Sequence, residues 1–186
     1  MEQRYLCFAV FGQMLRNSTE GADPELLRKA VAASLRNQDG RARGEVSKIY
    51  QVLPYEQLKP LLPAIHQAVV EPSESGEMIA DTVRVRGLEL LAKHHIEEGM
   101  KAAVDYIRTQ NKWASEKRTP QLLQVLQTYG AHAKVFIPDL RKIAETFDKG
   151  EEGFPGHLSK QKTVMVREAA KALEASTDRP ELTSLR

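Results

Sequence analysis

"LLQVLQTYGAHAKVFIPDLRKIAETF", residues 122–147, carries two apolar stripes separated by a glycine. Leu122, Val125, Leu126 and Tyr129 recur at helical spacing, and so do Phe136, Ile137, Leu140, Ile143, Ala144 and Phe147. Gly130 stands where the first stripe stops, and Pro138 stands just inside the second. A glycine after a helix end and a proline in a first turn are the two places where these residues disturb a helix least. The stretch predicts a hairpin rather than one kinked helix. Its first helix closes at Gly130, residues 131–135 turn, and Pro138 sits in the opening turn of the second helix.

The same period extends in both directions. Leu6, Val10, Phe11, Met14 and Leu15 form one stripe. Asp23-Pro24 reads as an N-cap with proline at the first helical position, and it opens a helix with Leu27, Val31, Ser34 and Leu35 on one side. "NQDGRARG" reads as a polar break. Val46, Ile49, Tyr50 and Leu53 follow, then Leu58, Leu61, Leu62, Ile65 and Val69, which "EPSESG" ends. Further stripes comprise Ile79, Val83, Gly87, Leu90 and Leu91, then Ile96, Met100, Ala103, Val104 and Ile107. "TQNKWASEKRTP" is expected to be a loop ending in a second N-cap and proline pair, Thr119-Pro120. "DKGEEGFPGH" reads as another loop. Met165, Val166, Ala169, Ala172 and Leu173 mark the last helix, and "STDRPELTSLR" reads as a tail.

The pattern repeats. Residues 52–69 align with 90–107 at an offset of 38, superposing Leu53 on Leu91 and Leu58 on Ile96. Residues 50–65 align with 125–140 at an offset of 75, superposing Leu62 on Ile137 and Pro63 on Pro138. Lys101 stands in place of the proline in the middle unit. "LQTYGAHAKVFIPDLRKIA" and "LKPLLPAIHQAV" resemble HEAT-like (armadillo-type) helical repeats, in which a glycine turn ends helix A and an apolar-Pro-x-Leu run opens helix B. The resemblance covers residues 41–147 most clearly. It implies an all-α fold, a right-handed α-α superhelix of three to four helical hairpins. One domain would span 1–175, and a tail would span 176–186. The run "GRARG … LLPAI … EPSESGEM … GLELLAKHHIEEG … KRTP … LQTYG" is also similar to helical C-terminal regions of large, uncharacterised exported bacterial proteins. That similarity implies a piece of a larger bacterial protein, and the apolar pattern starting by residue 5 or 6 fits it. On that expectation nothing here fixes the compartment.

Composition agrees with a helical domain: 41% of residues are hydrophobic, 28% charged and only 6% aromatic. No apolar stretch reaches the roughly 20 residues of a membrane-spanning helix. Cys7 is the only cysteine, which excludes an intrachain disulfide and a cysteine-based zinc site. Its apolar setting, "YLCFAVFG", favours a buried thiol. Phe8 and Phe11 add bulk to the first stripe, which either folds back on the next helix or receives a preceding domain.

His94-His95 with Glu97 and Glu98 lacks metal-ligand spacing, since adjacent helical residues diverge by about 100°. The four residues read as a polar junction between two helices. His66 and His132 have no partner at a motif spacing, and no nucleophile, phosphate-loop or dinucleotide motif occurs. No catalytic residue and no cofactor are therefore expected. Arg41 and Arg43, Arg84 and Arg86, and Lys117 and Arg118 recur near helix starts at spacings of 43 and about 33. In a solenoid such residues form a stripe, and HEAT-like DNA glycosylases use one on phosphates. Here the net charge is only +2 and acids lie nearby, so a solvated surface is the stronger expectation. Trp113 is either a contact residue or a peg for its loop. Phe154-Pro155 reads as a plug. The sequence thus points to a non-catalytic interaction or scaffold domain. Its partner would be a protein or a neighbouring domain of the parent chain. Nucleic-acid binding and an accessory role beside a hydrolase are the alternatives.

Overall fold

The computed structural model describes residues 20–186, and across them the chain is all-helical. The stripe from Leu6 to Leu15, with Cys7 and Phe8, lies outside the described residues. The chain divides into two compact units, with the boundary between Leu90 and Leu91.

In the first unit, α1 (Pro24–Leu35) starts as its sequence dictates. The Asp23 carboxylate accepts from the amides of Glu25 at 2.8 Å and Leu26 at 3.2 Å, and Pro24 needs no donor there. Leu27, Val31, Ser34 and Leu35 are all buried. The polar break is shorter than the sequence suggests, because α2 (Gly40–Ser47) begins inside "GRARG" with Asp39 as its N-cap. The early start rests on a contact distant in sequence. The Gly40 amide donates to Ser75 O at 2.8 Å, and the Ser75 amide donates to Gln38 O at 3.1 Å. A Cβ on Gly40 would stand 2.5 Å from Gly76 O, so only glycine permits the approach.

A short 3₁₀ turn (Lys48–Gln51) leads to α3 (Tyr55–Leu58), a second 3₁₀ turn (Lys59–Leu61) and α4 (Leu62–Val70). Pro60 and Pro63 break what the apolar stripe alone reads as one helix. Pro63 then lies in the first turn of α4, where its missing N–H leaves nothing unpaired. The core holds Val31, Val46, Ile49 and Ile65, none of which reaches solvent. Helix α5 (Glu77–Lys93) contributes Val83 and Leu88 to the buried set. Gly87 is buried because Val69 occupies the space its Cβ would take. Ile79, expected on the buried stripe, is 46% exposed.

The second unit contains α6 (Glu98–Thr109), α7 (Ser115–Thr128), a 3₁₀ segment (Gly130–Phe136), α8 (Ile137–Asp148) and α9 (Gly156–Ala175). Helix α9 packs on α8 and α7, and α6 packs on α7. Residues 122–147 fold as their glycine and proline imply. Gly130 is left-handed with φ +57°, and Pro138 lies in the first turn of α8. Pro63 and Pro138, superposed in the sequence alignment, occupy the same place: each follows a 3₁₀ turn and opens a helix.

Helix α7 departs from expectation. It begins at Ser115, so Pro120 lies inside it and Thr119 is no N-cap but a buried helical residue. Tertiary contacts hold this early turn. Gln110 Nε2 donates to Thr119 Oγ1 at 3.1 Å, and Arg118 donates to the carbonyls of Asn111 and Trp113 at 2.5 and 3.0 Å. Ala114, just before the helix, takes a left-handed φ of 59°. Ala172, expected in the core, is exposed on α9.

Candidate functional site

Residues 176–186 are not a dangling tail. Beyond α9 the chain runs extended as a strap along the second unit. It lies against two junctions, residues 95–98 before and at the start of α6, and residues 130–132 after α7. The Ala131 amide donates to Asp178 O at 2.7 Å. His132 Nε2 lies 3.0 Å from Pro180 O; a carbonyl only accepts, so the proton is on Nε2. The Thr183 amide donates to His95 O at 3.0 Å, and Thr183 O accepts from the Glu97 amide at 2.9 Å. That exchange is a single parallel β-bridge between Ile96 and Thr183. The Glu98 carboxylate accepts from the Leu185 amide at 3.0 Å and from Ser184 Oγ at 2.9 Å.

The two junctions form one cradle because a buried strut joins them. Tyr129, fully buried, donates its hydroxyl to Ile96 O at 2.8 Å. The His95 ring stands edge-on to the Tyr129 ring at 6.5 Å. Burial, and after it the Glu98 carboxylate, pushes the Tyr129 phenol above its usual range, so it remains a donor. Gly130 serves two ends. It takes the left-handed turn, and its missing side chain admits the Asp178 carbonyl, which any Cβ would overlap.

His94-His95 forms the polar junction expected of it. His95 has φ 49°, and burial, with the positive charges of Lys93 and His95, lowers the His94 pKa. No metal-ligating group of three side chains occurs among the described residues. His66 is half-buried on α4.

The basic residues are distributed over both units and serve mostly local structure. Arg43 and Arg84 are buried, at 5% and 8% exposure, and so cannot belong to a solvent-facing stripe. Arg43 donates to Asn37 O at 2.5 Å and to Glu71 O at 3.3 Å, fastening both ends of the first unit's loops. Arg41 lies 3.6 Å from Asp39, Arg84 lies 3.9 Å from Asp81, and Arg86 donates to Ser47 Oγ at 3.3 Å. Arg118 braces the start of α7. Lys117 is exposed. Trp113 is 58% exposed and meets Phe154 edge-on at 5.9 Å. Phe154 is buried and does plug its loop.

Beneath Phe154 lies a group that no sequence pattern marks. Lys162, in the middle of α9, is completely buried. Its ammonium pairs with the Glu151 carboxylate and donates to Ser115 Oγ at 2.8 Å. The rings of Phe147 and Phe154 flank it at 4.0 and 4.8 Å. A serine beside a lysine suggests nucleophile and base. Here Ser115 is also buried and the ammonium is held by a carboxylate, so the trio has neither a free base nor access for a substrate. It ties the loop before α9 to the start of α7.

No family model matches this chain, and comparisons with curated proteins and with solved structures return no match.

Proposed function

We propose that the chain is a non-catalytic, HEAT-like interaction or scaffold domain whose second unit holds an extended peptide. One observation carries the reading: residues 178–185 are already bound in this way. The contacts run mainly through main-chain groups of His95, Glu97 and Ala131, with His132 and Glu98 adding one side chain each. Pairing of an extended segment through its backbone is a general mode of peptide recognition, in which main-chain bonds supply affinity and side-chain contacts supply selectivity. The partner is a protein segment, or another part of a larger bacterial protein to which this domain belongs. Nucleic-acid binding gains no support from arginines that are buried or braced against their own loops.

The test begins with the full chain, carrying a specific protease site between Ser176 and Thr177. After cleavage, the released segment is separated and titrated back with a fluorescent label. Saturable rebinding at micromolar to millimolar concentration is expected. Failure to rebind at millimolar concentration, with the helical signal intact, refutes the reading.

A further inference from the structure

The strap is bound, yet it buries little of itself. Thr177, Asp178, Arg179, Glu181, Thr183, Ser184 and Arg186 are exposed, and only Pro180, Leu182 and Leu185 are half-covered. Its hold is a short series of hydrogen bonds, each exchanged against water for a small net gain. Ordering such a segment costs nearly as much as the bonds return. Segments held this way open locally without unfolding the domain beneath. The cradle does not depend on the strap for its form, because the buried Tyr129 hydroxyl joins its two halves from below.

Resting on the reading above, we infer that residues 177–186 are a displaceable cis occupant that competes with an extended segment of a protein partner. The chemistry of that segment follows from the cradle. Three donors, Ala131 N–H, His132 Nε2–H and Glu97 N–H, face carbonyls at positions equivalent to 178, 180 and 183. The residue opposite His132 offers only its carbonyl, so proline is accepted there. Opposite Glu98 the cradle takes a hydroxyl-bearing residue followed by a free N–H and an apolar side chain, as Ser184 and Leu185 provide. An acidic or phosphorylated residue there would meet the Glu98 carboxylate and be rejected. A second copy of the chain is a poor competitor. It offers the same bonds as the tethered strap but without the strap's high effective concentration. A partner segment with contacts beyond the cradle can prevail.

The experiment uses the full chain and a labelled synthetic peptide of residues 177–186, read by fluorescence anisotropy. Ser184→Asp in the chain places a carboxylate against Glu98 and loosens the strap while leaving the cradle unaltered. The peptide is expected to bind this variant about tenfold more tightly than the native chain. Glu98→Arg is expected to abolish binding to both. Amide exchange at Ala131 and Glu97 should accelerate in the Ser184→Asp chain, while exchange within α8 should not. Equal affinity for native and variant chains would overturn the competition; if the cleaved segment still rebinds, the peptide-binding reading survives. A concentration-dependent dimer of the native chain that Ser184→Asp removes would assign the site to a second copy and overturn the partner assignment.

Discussion

The Tyr129 hydroxyl donates to the carbonyl of Ile96 at 2.8 Å inside the second unit, across 33 residues of sequence. Gly99, the second residue of α6, leaves the room this bond needs: a Cβ there would overlap the Tyr129 oxygen and stand 2.9 Å from Leu91 Cβ. Tyr129→Phe should destabilise the chain by about 0.5–1.5 kcal/mol, since it removes one buried hydrogen bond while the Ile96 carbonyl still accepts from the Gly99 amide at 3.0 Å. Gly99→Ala should cost about 1–3 kcal/mol through overpacking. The double variant should cost less than the sum, because removing the hydroxyl relieves the worst overlap. Urea denaturation of the four chains measures this coupling, and strict additivity would show that the two positions do not communicate.

Gly130 couples the turn to the strap. Gly130→Ala meets two penalties: roughly 1–2 kcal/mol for a left-handed alanine, and displacement of the Asp178 carbonyl. The second penalty has its own signature. Amide exchange at Thr183 and Leu185 should approach the rate of an open chain, while amides in α8 and α9 slow it as before. Retained protection at Thr183 would mean that the strap is held independently of the Gly130 contact.

Removal of the buried ammonium should be costly. Lys162→Met removes the ammonium that pairs with Glu151 and lies over the Phe147 and Phe154 rings, and leaves the Glu151 carboxylate with Ser159 Oγ as a remaining partner at 3.2 Å. Glu151 keeps one-fifth of its side chain in solvent (20%), so a loss of about 3 kcal/mol is expected, the low end for a broken buried pair. Adding Glu151→Gln should recover part of it. If the single variant is as stable as the native chain by thermal melting, the ion pair contributes nothing.

Much of this architecture is legible in the residues because it is local. The caps at Asp23-Pro24, the left-handed Gly130 and the proline of α8 depend on a few neighbours, and the stripes of α1, α6 and α7 follow from period alone. Lys162 was not legible, because a lysine on a helix reads as solvent-facing unless its distant partners are known. Glu151 and Ser115 reach it only after α7, α8 and α9 have packed. The strap was hidden for a different reason. Its contacts are main-chain bonds, which leave no hydrophobic period, so a polar "STDRPELTSLR" reads as a tail. The arginines misled in the opposite sense, since a charge pattern in sequence does not reveal which guanidinium groups close loops.

Acid should weaken the chain partly through His94. Burial and the neighbouring positive charges lower its folded-state pKa below the ordinary 6.5. The unfolded chain therefore binds the proton more readily, and stability falls as pH drops through 6.5 toward the folded value, with no His94 contribution above that window. His94→Gln should flatten this part of the stability profile between pH 7.5 and 5.5. An unchanged slope in thermal melts would place the acid sensitivity elsewhere.

Pro120 gives the clearest contrast between two readings of one residue. As the first residue after an N-cap, it would be well placed, and replacing it would cost stability. Within α7 it is the sixth helical residue, and it offers no N–H to the carbonyl four positions back. Interior proline is disfavoured by roughly 3 kcal/mol against alanine. Part of that is offset because proline also restricts the unfolded chain. Pro120 is exposed, so no packing opposes the change. Pro120→Ala should therefore stabilise the chain by about 1–2 kcal/mol, raising the denaturation midpoint without changing its slope. Thr119→Ala should destabilise it, since Thr119 is buried and its hydroxyl accepts from Gln110. If Pro120→Ala instead lowers stability, α7 begins at residue 120 and the turn at 115–119 is not helical.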